Sequence, residues 1–222
     1  MGKEFTRQTQ LTGKVDALGH IHFFDDFSYD LGYNEIIVGN GEAVRSIENS
    51  IVKGISLKHQ VAADTATASD SVRSQKHIPC SPDKLVEYLC YFNFSGANTP
   101  HTLRFKFTLT DGTSLLQFSI EFCINNHTLK YLNSVGGYTP FTTYSAPPDD
   151  DVWHKISFRV DGLNRKYISC NIDNDEFSLA DISCQVTTGR SYINHYIDVY
   201  TLGTADTNFD VYYDHLLLQS FT

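Results

Sequence analysis

No stretch of the 222-residue chain is apolar for long enough to span a bilayer, and the first twenty residues lack the apolar centre of a secretory leader. A soluble protein that does not enter the membrane is the expectation. There is no Cys-x-x-Cys pair among Cys80, Cys90, Cys123, Cys170 and Cys184, and none has a histidine at metal spacing, which argues against zinc and dithiol redox sites. Cys90, Cys123 and Cys170 fall inside strand-like runs, where the thiol serves as a small buried hydrophobe. Basic residues are scarce as well: 17 Lys and Arg stand against 26 Asp and Glu, a formal charge of −9. With no basic stripe to offset that charge, nucleic acid is not expected as a partner. Runs of Ala, Glu, Lys and Leu at helical spacing are absent, and no repeat of solenoid or propeller period occurs.

What the chain has in quantity is Val, Ile, Tyr, Phe and Thr, the residues that fill pleated, half-buried surfaces. From 86 to 94, Val86, Tyr88, Cys90, Phe92 and Phe94 alternate with Glu87, Leu89, Tyr91 and Asn93, a two-residue period that predicts a strand. Leu103, Phe105, Phe107 and Leu109 repeat the pattern, Asp111-Gly112 supplies a hairpin turn, and Leu116 to Ile124 returns. Asn125-Asn126-His127 predicts a second turn before a strand at Leu129–Leu132. Further strands are expected at Ile21–Phe27, Glu35–Val38, Ile47–Leu57, Ile156–Val160, Ile168–Ile172, Ile193–Leu202 and Val211–Leu218, about a dozen or slightly more in all. The Ala-, Ser- and Asp-rich segment 62–76 reads as a surface loop or a weak edge strand, and 133–151, with Gly136-Gly137 and three prolines, as the longest loop. Antiparallel strands in this number close by stacking face to face, so the expected fold is all-β, a two-sheet antiparallel jelly-roll sandwich over 21–222 behind a polar arm, 1–20.

Three segments carry a family resemblance: Phe24-Asp25-Asp26-Phe27, the run from Val152 and Trp153 to Asp161, and the final Val211-Tyr212-Tyr213-Asp214-His215-Leu216-Leu217-Leu218. In their order and spacing the chain resembles the concanavalin A-like, laminin G-like superfamily of lectins and glucanases. The resemblance implies a sandwich in which Tyr167 to Asp175 forms a hairpin with a short turn, and a function in carbohydrate recognition or cleavage, since architecture alone does not fix activity.

Retaining glycosidases hold two carboxylates about 5 Å apart across the sugar. The Glu-x-Asp-x-x-Glu pattern of the resembling glucanases is missing, and Glu121 stands alone beside Gln117, Ser119 and Cys123. A polysaccharide lyase needs a Tyr or His base with Arg and Gln to neutralise a uronate carboxylate; Arg104, Gln117, His154, Arg159 and Tyr167 supply the residue types without a lyase motif. Lectin-like recognition instead uses aromatic rings against a sugar face with polar side chains on its hydroxyls. The loop residues Tyr138, Phe141 and Tyr144, flanked by Asn133 and Asp149, are the glycan-binding candidates, the competing reading being that these rings cap an open end of the core. Trp153 opens an apolar strand and is expected to be buried. Asp25, Asp26 and Asp214 lie near the two chain ends, which pair in such sandwiches, and are candidate ligands of a structural calcium, with Asp149-Asp150-Asp151 as a lesser cluster. The expected function is noncatalytic binding of a glycan or polysaccharide; a structural or assembly role, with contacts between copies, and a divergent glycosidase or lyase are the alternatives.

Overall fold

The computed structural model describes residues 20–28, 32–51, 54–61, 70–78, 85–95, 102–144, 152–190, 195–203 and 209–221. These form sixteen strands: β1 (His20–Asp25), β2 (Asn34–Val38), β3 (Gly41–Ser46), β4 (Ser56–Val61), β5 (Ser71–His77), β6 (Leu85–Ser95), β7 (Thr102–Thr110), β8 (Ser114–Cys123), β9 (Thr128–Leu132), β10 (Tyr138–Thr143), β11 (His154–Asp161), β12 (Lys166–Ile172), β13 (Asp175–Ser178), β14 (Gln185–Thr188), β15 (Tyr196–Leu202) and β16 (Phe209–Phe221). A single 3-10 turn at Ile124–Asn126 is the only helical element among the described residues, and none of them forms a helix long and apolar enough to cross a membrane. The first sheet runs β13-β12-β11-β6-β16-β4-β3, with β1 also on β16. The second runs β10-β9-β8-β7-β15-β5-β2, with β14 also on β8. The chain crosses between the sheets repeatedly, and the result is the expected antiparallel jelly-roll sandwich.

The alternation read from the sequence puts Tyr88, Cys90, Phe92 and Phe94 of the first sheet against Phe105, Phe107, Phe118 and Phe122 of the second, all of them buried. Phe92 meets Phe105 across the gap with ring centroids 5.3 Å apart. Tyr167 reaches from β12 to the other sheet, where its hydroxyl accepts the Ser119 N–H at 2.8 Å and donates to the Leu132 carbonyl at 3.1 Å. A buried tyrosine hydroxyl requires such partners, and here they tie the two layers together directly under the outer face of β8.

Three segments depart from the sequence reading. The span 47–57 is not one strand, because β3 ends at Ser46 and β4 begins at Ser56. Between them, serine hydroxyls hold a turn: Ser46 accepts the Glu48 N–H and Ser50 accepts the Gly54 N–H, leaving Ile47 exposed. The segment 62–76 contains an interior strand, since β5 lies between β15 and β2; residues 62–69 are outside the described residues. Beside the apolar Val72 its inward side carries the polar Ser74, because a histidine of the facing sheet fills the space there. His59 contacts Ser74 at 2.8 Å and Thr201 at 3.2 Å, and burial pushes its pKa down to about 3, so the ring is neutral. Finally, the long loop at 133–151 contains β10, paired with β9 through a hairpin whose turn is made by Asn133 and Gly136, the latter at φ +89°. The arm at 1–19 lies outside the described residues.

Candidate functional site

Cross-strand register makes the outer face of the second sheet a lattice of polar side chains, since every residue not pointing into the core points outward. In one row, Lys106 on β7 lies opposite Ser119 on β8 and Asp198 on β15, which in turn lies opposite Gln75 on β5. In the next row, Arg104 lies opposite Glu121 and Tyr200, with Lys130 beyond Glu121 and Arg73 beyond Tyr200. Tyr138 reaches the same face from β10, its hydroxyl 3.0 Å from that of Ser119.

Electrostatically the face divides into paired and unpaired cations. Asp198 binds Arg73 through both carboxylate oxygens, at 3.1–3.2 Å, and is almost fully buried. That burial raises its pKa, against the opposing pull of Arg73 and Lys106. Glu121 accepts from Arg104 Nε at 2.8 Å and from Lys130 Nζ at 3.0 Å. The guanidinium of Arg104 is stacked between two rings, 4.6 Å from the centre of Tyr138 and 5.5 Å from that of Tyr200. With Nε given to Glu121, the two terminal nitrogens of Arg104 make no hydrogen bond among the described residues. Lys106 likewise joins none of their ion pairs, and burial beside Arg73 and Arg104 lowers its pKa. The face thus offers a planar fork of N–H donors, held rigid by aromatic stacking, next to an unpaired ammonium.

The two carboxylates do not form a glycosidase pair. Glu121 and Asp198 are two strands and one row apart, roughly 10 Å across the sheet and 7 Å along it. Glu121 is held between Arg104 and Lys130 and Asp198 is held by Arg73, whereas retaining chemistry needs two carboxylates about 5 Å apart.

Of the glycan candidates read from the sequence, only Tyr138 stands on this face. Phe141 packs against Tyr131 and Phe177. Tyr144 is buried and donates to Asp173 at 2.8 Å, in a cluster completed by His154 on the same carboxylate. Asn133 holds the hairpin turn by accepting the Val135 and Gly137 N–H groups. Asp149, like its neighbours 150 and 151, lies outside the described residues. Trp153 is half-buried and donates to Asn49. Among the lyase-type residues, Arg104 and Gln117 share the face, but His154 and Arg159 belong to the first sheet and Tyr167 to the core. The calcium candidates are used locally. Asp25 accepts the Phe27 N–H and the Tyr33 hydroxyl, Asp26 the Ser28 N–H, and Asp214 the Ile51 and His215 N–H groups. Among the described residues no three His, Cys, Asp or Glu side chains cluster to hold a metal ion.

Sequence reading passed over Lys106, Asp198, Tyr200 and Arg73. The available signal was the alternation of Tyr196, Asp198 and Tyr200 along β15, which matches Arg104 and Lys106 on β7 only once the two strands are known to be neighbours.

No protein-family model matches the chain, and no curated protein sequence matches it. Solved structures do. An endo-β-1,4-glucuronan lyase from the fungus Trichoderma reesei superposes with a TM-score of 0.64 at 12% identity, over 91% of this chain and 96% of that one. A β-glucanase from Bacillus licheniformis gives 0.51 at 14% identity, over 90% and 98%. A prokaryotic β-1,3-1,4-glucanase derived from a mouse hindgut metagenome gives 0.52 at 16%, over 91% and 99%. The concanavalin A-like resemblance therefore holds at the level of the fold.

Proposed function

We propose that the chain binds an acidic polysaccharide, without cleaving it, along the outer face of the second sheet. The observation that carries this reading is a cationic surplus: the two terminal nitrogens of Arg104, which make no hydrogen bond among the described residues although its Nε is bound to Glu121, and the ammonium of Lys106, which joins none of their ion pairs, set among tyrosines on one face. A uronate ring presents a planar carboxylate to such a fork and a C–H face to the neighbouring ring. The glucuronan lyase that shares the fold acts on a polymer of this type. Binding without cleavage fits the use of both carboxylates as partners of arginine and lysine, which leaves neither of them free as a base.

The test is isothermal titration with polyglucuronate and with a neutral β-glucan. The polyuronate should bind in preference, more weakly as salt rises, and Arg104→Ala should lower its affinity at least tenfold, about 1.4 kcal/mol. Equal binding of both polymers, unchanged by Arg104→Ala, would refute the reading. Appearance of an unsaturated, ultraviolet-absorbing product during incubation would convert the binder into a lyase.

An assembly role is favoured by one separate feature, the edge strand β2, on which Ile36, Ile37 and Val38 are all exposed. Sedimentation analysis tests it: a dimer broken by Ile37→Lys supports self-association, and a monomer at all concentrations removes it.

A further inference from the structure

On the opposite side of the sandwich the outer face of the first sheet contains a cleft of about 300 Å³, which crosses β16, β6, β11, β12 and β13. We propose that this cleft is a second ligand site, taking one neutral pyranose residue. The inference is independent of the polyuronate reading, because it uses other residues and another chemistry.

Strand register again orders the walls. Leu217 lies opposite Leu89, which lies opposite Ser157 and then Asn171, so the partly exposed Leu89, with the buried Leu217 behind it, stands beside a hydroxyl and an amide. The Asn171 amide donates to Ser157 Oγ at 3.4 Å, a long bond that leaves the second amide hydrogen and the carbonyl for a ligand. One row away, Glu87 is buried and its carboxylate is fully engaged: Arg159 donates to one oxygen at 3.3 Å and Gln219 to the other at 2.8 Å. Asp173, at the far end, accepts from Tyr144, His154 and the Lys155 N–H.

This saturation decides the charge of the ligand. Of the cleft's carboxylates only Glu87 is neutralised by a permanent cation, Arg159; Asp173 is paired with His154, which carries charge only when protonated, and Lys155 and Glu176 form no ion pair among the described residues, so the cleft presents both signs. The backbone positions of Lys155 and Glu176 are two strands and one row apart, roughly 10 Å across the sheet and 7 Å along it, too far to be bridged by the adjacent charges of a free amino acid. An anion would gain from Lys155 but lose from Glu176, and the same holds in reverse for a cation. A neutral sugar ring fits the remaining, mainly polar surface: its C–H face meets Leu89, and its equatorial hydroxyls meet Asn171, Gln219 and Asn174. The volume is at the lower end for small-molecule sites, which suits one ring rather than a chain.

The test is nuclear magnetic resonance titration of the full, isotope-labelled chain with the methyl glycosides of β-glucose, β-galactose and α-mannose. At least one should produce saturable shifts, with a Kd on the order of 1–10 mM, at the backbone amides of Leu89, Asn171 and Gln219 and not at those of Arg104 or Tyr200. Asn171→Leu should weaken that titration at least fivefold while leaving polyglucuronate binding unchanged. No saturable shift with any of the three sugars on the unsubstituted protein, or shifts confined to the second sheet, would overturn the proposal whether or not the variant folds.

Discussion

The outer face of the second sheet sets four cations, Arg73, Arg104, Lys106 and Lys130, against two carboxylates, whereas the cleft on the outer face of the first sets Lys155 and Arg159 against Glu87, Asp173 and Glu176. Both faces are built by the same strand alternation on the same core, and both bury polar groups. They differ in how the polar groups are spent. On the first face the buried carboxylates are saturated by neighbouring donors, so little charge is left to attract an ion. On the second, four cations share the two carboxylates Glu121 and Asp198, and the surplus is what a polyanion can use. A face's capacity to bind therefore follows from its unsatisfied donors rather than from its count of polar residues.

The strongest way to break the comparison is to remove the side chain that supports the second face from beneath. Tyr167→Ala deletes a buried ring and its two hydrogen bonds to Ser119 and Leu132, and should cost about 3–5 kcal/mol in denaturant unfolding. Tyr167→Phe keeps the ring and strands the Ser119 N–H and Leu132 carbonyl, and should cost about 1–3 kcal/mol. If the two variants unfold alike, the hydroxyl rather than the ring joins the sheets.

Next in size is Glu121→Gln, which frees Arg104 and Lys130 together. Loss of a buried carboxylate between two cations should lower stability by about 2 kcal/mol. Polyglucuronate affinity should nevertheless rise and become more salt-sensitive, because the face gains a net positive charge. A fall in affinity would mean that Glu121 positions Arg104 rather than competes for it.

Asp25, on the first sheet, gives a smaller effect with a defined pH dependence. Burial raises its pKa to about 6 from an ordinary value near 4. The folded state then holds the proton more tightly than the unfolded state, so its contribution is most favourable below about pH 4 and is lost as pH rises to about 6. Asp25→Asn keeps the acceptor for the Phe27 N–H and sets an amide N–H, which the Tyr33 oxygen can accept, in place of the second carboxylate oxygen; it should be more stable than the parent at pH 8 by about 1–2 kcal/mol, with no advantage at pH 4. Millimolar calcium sharpens the result: a melting temperature raised in the parent and not in Asp25→Asn would place an ion at Asp25, and an unchanged parent would remove it.

How far these faces could be foreseen depends on how local their causes are. The alternation in β6, β7 and β8 is written in consecutive residues, and the sandwich with most of its core follows from it. The interior position of β5 is not, because Ser74 is inward-facing only on account of His59, fifteen residues away and in the other sheet. The short β10 was hidden by Pro140, which sits at a register shift in its pairing with β9. The same non-locality hid the binding face. Tyr138 was legible as a candidate sugar-facing aromatic, but its partner Arg104 comes from β7, and Tyr200 reaches the same guanidinium from β15. Phe141 and Tyr144 shared its segment without sharing its side of the sheet.

The finest discrimination between the faces comes from removing one positive charge on each. Lys106→Gln and Arg159→Gln change the net charge of the chain equally, so any long-range effect on a polyanion should be the same for both. Arg159 is half-exposed and already shares Glu87 with Gln219, and its loss should cost less than about 1 kcal/mol of stability and change polyglucuronate affinity less than twofold. Lys106 is a partly buried cation without an ion-pair partner among the described residues, so its removal should be stability-neutral or favourable while lowering that affinity at least fivefold. Equal losses from the two substitutions would mean that the polyanion responds to overall charge, and that the stacked arginine and its neighbouring ammonium do not constitute a site.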